Sequence, residues 1–204
     1  MTSSPVVVLA GAANAGKTLL LVNFAQFLGR STIAGSIFAE DARRPRERWS
    51  VDRARRLFAT PEPLGALVTL EVEAQVRKRR ETRSVRLVDT PGLTDDIAPD
   101  AAARTAMAAS LACIVDAWGV LHVVDASALA GQGGRLRPID EELMRLRAAR
   151  PPYAVIASKM DLPEAPGGLH ELRRQLPPGT PVIPVSALRR EGYPTLFRWL
   201  WRHL

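Results

Sequence analysis

The eight residues Gly11-Ala12-Ala13-Asn14-Ala15-Gly16-Lys17-Thr18 restrict this chain more than any other stretch does. They fit the pattern G-x-x-x-x-G-K-[ST], and what flanks them matters as much as the pattern. Residues 6–10 read Val-Val-Val-Leu-Ala, a buried strand, and residues 17–28 read as a helix that Gly29 stops in a left-handed turn. A strand, a glycine loop and a helix start in that order leave several main-chain N–H groups and a helix dipole aimed at one space. That space suits phosphate. Lys17 is then a cation for the outer phosphates and Thr18 a hydroxyl for Mg²⁺. The competing reading is a chance glycine turn, and the strand-to-helix setting argues against it.

The rest of the chain extends the same architecture. Apolar runs at 84–89, 120–124, 153–157 and 182–185 alternate with helical patterns near 100–117, 138–149, 168–175 and 193–203, the signature of strands joined by crossover helices. Residues 67–76 alternate strictly: Val68, Leu70, Val72, Ala74 and Val76 on one face, Thr69, Glu71, Glu73 and Gln75 on the other. This predicts a half-exposed edge strand, paired antiparallel with 84–89 across the basic turn Arg77-Lys78-Arg79-Arg80. The expected fold is α/β, a three-layer, six-stranded, mostly parallel sheet with one antiparallel strand and about five helices, in one domain over residues 1–204. Residues 30–66 are arginine-rich and read as a linker without assigned elements.

Two further sites fall at strand ends. Asp89-Thr90-Pro91-Gly92 puts a carboxylate and a flexible glycine beside the first strand at the sheet's carboxyl edge, where Asp89 can hold Mg²⁺ through water and Gly92 can offer its N–H to a terminal phosphate. Ser158-Lys159-Met160-Asp161 and Ser186-Ala187-Leu188 follow the strands at 153–157 and 182–185.

In this order the four motifs resemble those of the P-loop GTPases, and the resemblance spans nearly the whole chain. It implies binding of GTP or GDP with Mg²⁺ and hydrolysis of GTP, with residues 30–66 and 93–100 as nucleotide-sensitive switches. It further implies nucleotide contacts from Asn14, Ala15, Gly16, Lys17, Thr18 and Leu19. Asp161 would read guanine N1 and N2, Lys159 would lie along the base, and the main chain of Ser186, Ala187 and Leu188 would face O6. The family usually has asparagine where this chain has Ser158. Asn14 and the Asp-Thr-Pro-Gly-Leu run are similar to the Era, MnmE and FeoB branch. In some of those relatives the loop asparagine helps to hold K⁺, so Asn14 is a candidate ligand or, alternatively, a brace for the loop. Leu93 stands where Ras proteins have the glutamine that orients water, which predicts slow intrinsic hydrolysis and an effector or activating protein supplied in trans. A nucleotide-dependent dimer is a further expectation of the resemblance. A nucleotide-holding module with negligible turnover is the alternative.

The first-switch threonine, which would close over Mg²⁺ beside Lys17 and Gly92, is assigned to Thr60 in the turn-prone Ala-Thr-Pro-Glu-Pro run, with Thr69 and Thr32 as fallbacks. The net charge of +7 arises from 28 basic and 21 acidic residues, and residues 43–56 alone carry seven arginines. Such a surface can meet RNA, anionic lipid or an acidic protein, but the interspersed Glu47 and Asp52 favour a solvated face. The C-terminal Leu196-Phe197-Arg198-Trp199-Leu200-Trp201 stretch reads as a core helix rather than a membrane contact, and His122 as a packed side chain. One cysteine, Cys113, excludes an intrachain disulfide, and no leader is apparent at the N-terminus; a cytoplasmic setting is expected.

Overall fold

The computed structural model describes residues 4–38, 46–59, 67–78, 80–95, 101–131, 133–150 and 152–204. Its centre is a sheet of eight strands in the order β3-β2-β4-β5-β1-β6-β7-β8. Strand β1 (Val6–Ala10) lies between β5 (Glu81–Asp89) and β6 (Gly119–Asp125), and β7 (Tyr153–Ser158) and β8 (Val182–Pro184) continue the parallel half. A parallel sheet is covered on both faces, so its strands read as unbroken apolar runs. Val7, Val8, Leu9 and Ala10 are all buried accordingly.

The other half departs from the sequence expectation. Strand β4 (Leu67–Lys78) pairs antiparallel with β5 as expected, but it is not an edge. Strand β2 (Thr32–Phe38) lies antiparallel beside it, and β3 (Glu47–Ser50) lies outside β2. Alternation along residues 67–76 correctly sorts the faces, since Leu70, Val72, Ala74 and Val76 are buried. It carries no information about what pairs laterally. The stretch read as a linker therefore contains two strands and helix α2 (Val51–Phe58), which Ser50 caps by accepting from the Arg53 N–H at 3.2 Å. Gly35 sits at the crossing of these strands. A Cβ there would meet the Thr69 carbonyl at 2.6 Å and the Trp49 ring at 3.0 Å, so the strand is read past a residue that looks like a break.

Two cores flank the sheet. On one face Leu20, Leu21 and Phe24 of α1 (Lys17–Phe27), Val51 and Ala54 of α2, and Tyr193, Leu196 and Leu200 of α7 (Tyr193–His203) pack on Leu9, Leu70, Leu87 and Leu121. On the other, Ile114 of α3 (Ala101–Asp116), Leu129 of α4 (Ala126–Gly131), Leu143 of α5 (Pro138–Arg147) and Leu172 of α6 (Ala165–Gln175) pack on Val8, Val88, Val120 and Val155. The three-layer α/β class matches the expectation, with eight strands and seven helices among the described residues in place of six and five. Helix α7 buries its apolar side as a core helix should, Trp199 included. His122 is buried between Tyr153 Oη at 2.8 Å and Asp140 Oδ1 at 2.9 Å, each bonded to one ring nitrogen.

Candidate functional site

The loop between β1 and α1 is shaped by backbone positions that few residues tolerate. Gly11 has φ 142°, and a Cβ there would lie 2.3 Å from the Val123 carbonyl oxygen. Gly16 has φ 92° and precedes Lys17, the first residue of α1; Asn14 is exposed on the loop with φ 61°. Ala15 is buried, while Leu19 is half-buried against the core. The chain thus turns back on itself around a concave strip of main chain at a helix start.

Lys17 closes this strip from beneath. It is only 5% exposed, and its Nζ donates to the loop's own carbonyls, Ala12 at 2.7 Å and Gly11 at 3.1 Å. Burial holds its pKa below the ordinary lysine value, an effect the nearby Asp89 and Asp140 charges oppose. An ammonium sequestered so tightly gains from an incoming anion, which restores its charge-assisted partners.

Thr18 follows on the same turn, and its hydroxyl donates to Asp89 Oδ2 at 2.7 Å across 71 positions of sequence. The other oxygen, Asp89 Oδ1, is buried with no hydrogen-bond partner among the described residues. Burial dominates the electrostatics of this carboxyl and pushes its pKa to about 6, against the lowering pull of Lys17 and Thr18. A hydroxyl, a carboxylate and an unsatisfied hard oxygen form the donor set that Mg²⁺ takes with phosphate and water. These residues therefore fit the ion.

The segment after Asp89 is stitched to the loop. Thr90 donates through its hydroxyl to the Leu9 carbonyl at 3.0 Å; Leu93 N–H donates to Gly11 O at 3.1 Å, and Ala13 N–H to Leu93 O at 3.0 Å. Gly92 lies so close that a Cβ on it would fall 2.5 Å from Ala13 Cα. Leu93 is buried.

At the other end of the groove Ser158 stands where the family usually has asparagine. Its hydroxyl reaches the Ala15 carbonyl at 2.7 Å and the Val124 carbonyl at 3.0 Å, tying the phosphate loop to the next strands. Lys159 has φ 58° and its Nζ lies 2.6 Å from Asp125 Oδ2. Burial would raise the Asp125 pKa, but the bonds from Lys159, Ser127 and the Ala128 N–H outweigh it and hold the carboxyl below its ordinary value. Asp161 accepts the Ser186 hydroxyl on Oδ1 at 2.6 Å, so the two base-side loops are joined. Ala187 is 9% exposed and Leu188 68% exposed at the rim.

Of the sequence-derived set, the structure brings Lys17, Thr18, Asp89 and Gly92 together around one loop, and Asp161, Ser186 and Ala187 around another. Thr60 lies outside the described residues. Thr32 and Thr69 are strand residues, paired with Ser50 and Ser36 respectively. Asp125 was missed, although a carboxylate ending a parallel strand at the carboxyl edge is a readable signal. Asn23 was missed too; in sequence it looks like any polar position of a helix.

Comparison with known proteins agrees with this geometry. A model of the 50S ribosome-binding GTPase family matches residues 6–159. Era from Aquifex aeolicus bound to GDP and aluminium fluoride superimposes with a TM-score of 0.69 at 18% identity, over 100% of this chain and 57% of that one. Era solved with MgGDPNP and a 16S ribosomal RNA fragment gives 0.66 at 19% identity, over 100% and 58%. GTPase Obg from Halalkalibacterium halodurans is 37% identical over 83 residues, 39% of this chain and 19% of that protein. The chain thus spans about a fifth of the curated relative and a little over half of the Era chains. With the family model covering most of its length and the strand-loop-helix geometry in place, the chain belongs to the 50S ribosome-binding GTPase family.

Proposed function

We propose that this protein is a nucleotide-dependent switch that binds GTP with Mg²⁺ and hydrolyses it slowly to GDP and phosphate. The observation that carries this reading is the pair Thr18–Asp89, bonded at 2.7 Å beside a buried Lys17, with Asp89 Oδ1 left over. The N–H groups of residues 14–19 would take the phosphates, and Lys17 would leave its carbonyl partners for the outer phosphate oxygens. Mg²⁺, when bound, supplies charge neutralisation between the phosphates. Thr18 and Asp89 would orient it, and a first-switch threonine, Thr60 in this reading, would complete its shell. Gly92 would offer its N–H to the terminal phosphate, so that loss of that phosphate would relax residues 30–66 and 93–100, of which 39–45, 60–66 and 96–100 lie outside the described residues.

For the base, Asp161 would accept from guanine N1 and N2, Lys159 would lie along the ring, and the main chain at Ser186, Ala187 and Leu188 would meet O6. The change Asp161→Asn tests this assignment: preference should move from guanine to xanthine nucleotides. Unchanged binding of ATP together with unchanged GTP affinity would defeat it.

A second reading, a module that holds nucleotide with negligible turnover, is favoured by one observation. Leu93, beside Gly92, is buried and cannot orient water. Single-turnover assays separate the two, since bound GTP that yields no phosphate over hours supports the module. K⁺ held through Asn14 would raise turnover, and equal rates in KCl and NaCl would exclude that role.

Partners follow from chemistry. A protein in trans that supplies the missing water-orienting group fits Leu93 best, and a nucleotide-dependent dimer would be one way to supply it. RNA, which one Era neighbour was solved with, and anionic membrane are less favoured. Arg46 pairs with Glu71 at 2.8 Å and Arg55 with Asp52 at 2.8 Å, so part of the arginine run is spent internally. Salt-sensitive retention of RNA on filters would reverse that preference. No helix among the described residues is long and apolar enough to cross a membrane; a cytoplasmic setting is part of this proposal.

A further inference from the structure

The β2–β3–α2 unit meets the rest of the molecule at a second place besides the sheet. Helix α2 lies against α1, and Arg55 reaches from α2 into the seam. Its Nε donates to Asn23 Oδ1 at 2.8 Å and its Nη2 to Gln26 Oε1 at 2.8 Å, while Nη1 stays on Asp52 at 2.8 Å. Asn23 is 4% exposed, and its Nδ2 donates in turn to the Ala187 carbonyl at 2.8 Å. Tyr193 Oη reaches the same carbonyl at 3.3 Å. Gln26 Oε1 also accepts from Arg190 Nη2 at 2.7 Å, three residues beyond Ala187.

An amide has one end that accepts and one that donates, and a guanidinium can only donate. Arg55 on one side and the Ala187 carbonyl on the other therefore hold the Asn23 amide with its oxygen toward α2 and its NH₂ toward the loop. Without Arg55 the buried Asn23 oxygen is left without that donor and the amide loses its anchor on the α2 side, so its bond to the Ala187 carbonyl loosens and that carbonyl rests on the longer Tyr193 contact. The same loop is also held by the Ser186–Glu191 main-chain pair at 3.1 and 3.3 Å, by the Ser186 hydroxyl on Asp161 at 2.6 Å and by the Arg189 N–H on Ser186 Oγ at 3.0 Å, so Asn23 is the tie that links it to α1 and α2. Arg55 is thus an arginine of the basic run whose work is internal; its side chain is 29% exposed.

We propose that Arg55 is a positioning residue for the loop that reads the base, and that helix α2 thereby sets how long a guanine nucleotide stays bound. This rests on the guanine reading above. Anything that lifts α2 from α1 loosens the base while leaving the phosphate contacts intact, so α2 is a point from which nucleotide release can be controlled.

The test follows release of a fluorescent GDP from the full chain, chased with unlabelled GDP, for three proteins: unaltered, Arg55→Ala and Asn23→Asp. The aspartate still accepts from Arg55, so α2 stays docked, but it cannot donate to Ala187. Arg55→Ala should release GDP about tenfold faster, the size of one lost buried hydrogen bond, and Asn23→Asp at least as fast, because its carboxylate also repels the Ala187 carbonyl. The diphosphate of 2-aminopurine riboside, which lacks O6, should leave all three proteins at rates within about twofold of one another. Hydrogen exchange in α2 should quicken in Arg55→Ala and stay unchanged in Asn23→Asp. Unshifted GDP release in Arg55→Ala or in Asn23→Asp, or equal acceleration for both nucleotides, overturns the relay. Failure of the unaltered chain to bind guanine nucleotide at all would overturn both this proposal and the reading it rests on.

Discussion

At the phosphate rim the main chain sets the shape, and at the antiparallel edge side chains do. Gly11 and Gly16 hold positive φ angles, and the Leu93–Gly11 and Ala13–Leu93 bonds run between peptide groups. Around β2, β3 and α2 the contacts are instead Trp49, buried and edge-on to Phe58 with ring centroids 5.0 Å apart, and the guanidinium of Arg55 between Asn23 and Gln26. A binding surface made of peptide groups is insensitive to most side-chain changes and intolerant of a few. An edge made of side-chain contacts degrades gradually.

The largest expected effect sharpens that contrast. Gly11→Ala drives a Cβ onto the Val123 carbonyl at a φ that alanine resists, and should cost about 4 kcal/mol or prevent folding, read by thermal unfolding. Trp49→Ala should cost about 3 kcal/mol of stability in denaturant titration, while nucleotide affinity changes by less than about threefold if the two regions are independent in this respect. Loss of phosphate affinity in that variant would break the comparison.

Lys17→Ala should lower GTP affinity by about 100-fold with the cooperativity of unfolding retained, because a charge-assisted contact to phosphate is lost and the loop's glycines are not. A variant that unfolds in parallel with its loss of binding would show that the lysine also holds the loop. The smallest effect is on pH. Asp89 binds a proton with a pKa of about 6 in the nucleotide-free fold, so protons compete with Mg²⁺ below that value. Mg²⁺ affinity should fall by about tenfold per unit below pH 6 and level off above it. The same group makes the sign for stability: the folded state holds this proton more tightly than the unfolded chain does. In the absence of metal, Asp89 therefore costs stability as pH rises from the ordinary aspartate value of 3.8 through about 6.

The phosphate rim was legible in the sequence because its constraints are local. Gly11, Gly16, Lys17 and Thr18 lie within eight residues, and Asp89 announces itself at the end of an apolar run. The antiparallel edge was not. Strand β3 has four residues and β2 is interrupted by Gly35; α2 does carry Val51, Ala54, Leu57 and Phe58 at helical spacing, but over only eight residues and inside an arginine run that drew the reading to charge. Residues 67–76 were placed at an edge because alternation identifies faces and is silent about neighbours. Base-side residues were half legible: Asp161 and Ser186 follow strands, but Asn23 lies 164 positions from Ala187 and Arg55 a further 32 positions from Asn23, so only folding brings that support to the loop. Ser158 departs from the family's asparagine, and the sequence does not show that its hydroxyl lies between the Ala15 and Val124 carbonyls.

The measurement closest to the central claim is titration calorimetry of the full chain with GTP, and separately with GDP, in Mg²⁺ after stripping any pre-bound nucleotide. The account predicts one saturable site for each, with GTP binding weakened about 100-fold by Lys17→Ala and base preference shifted toward xanthine by Asp161→Asn. Absence of heat with both nucleotides, in protein shown to be folded, would contradict it.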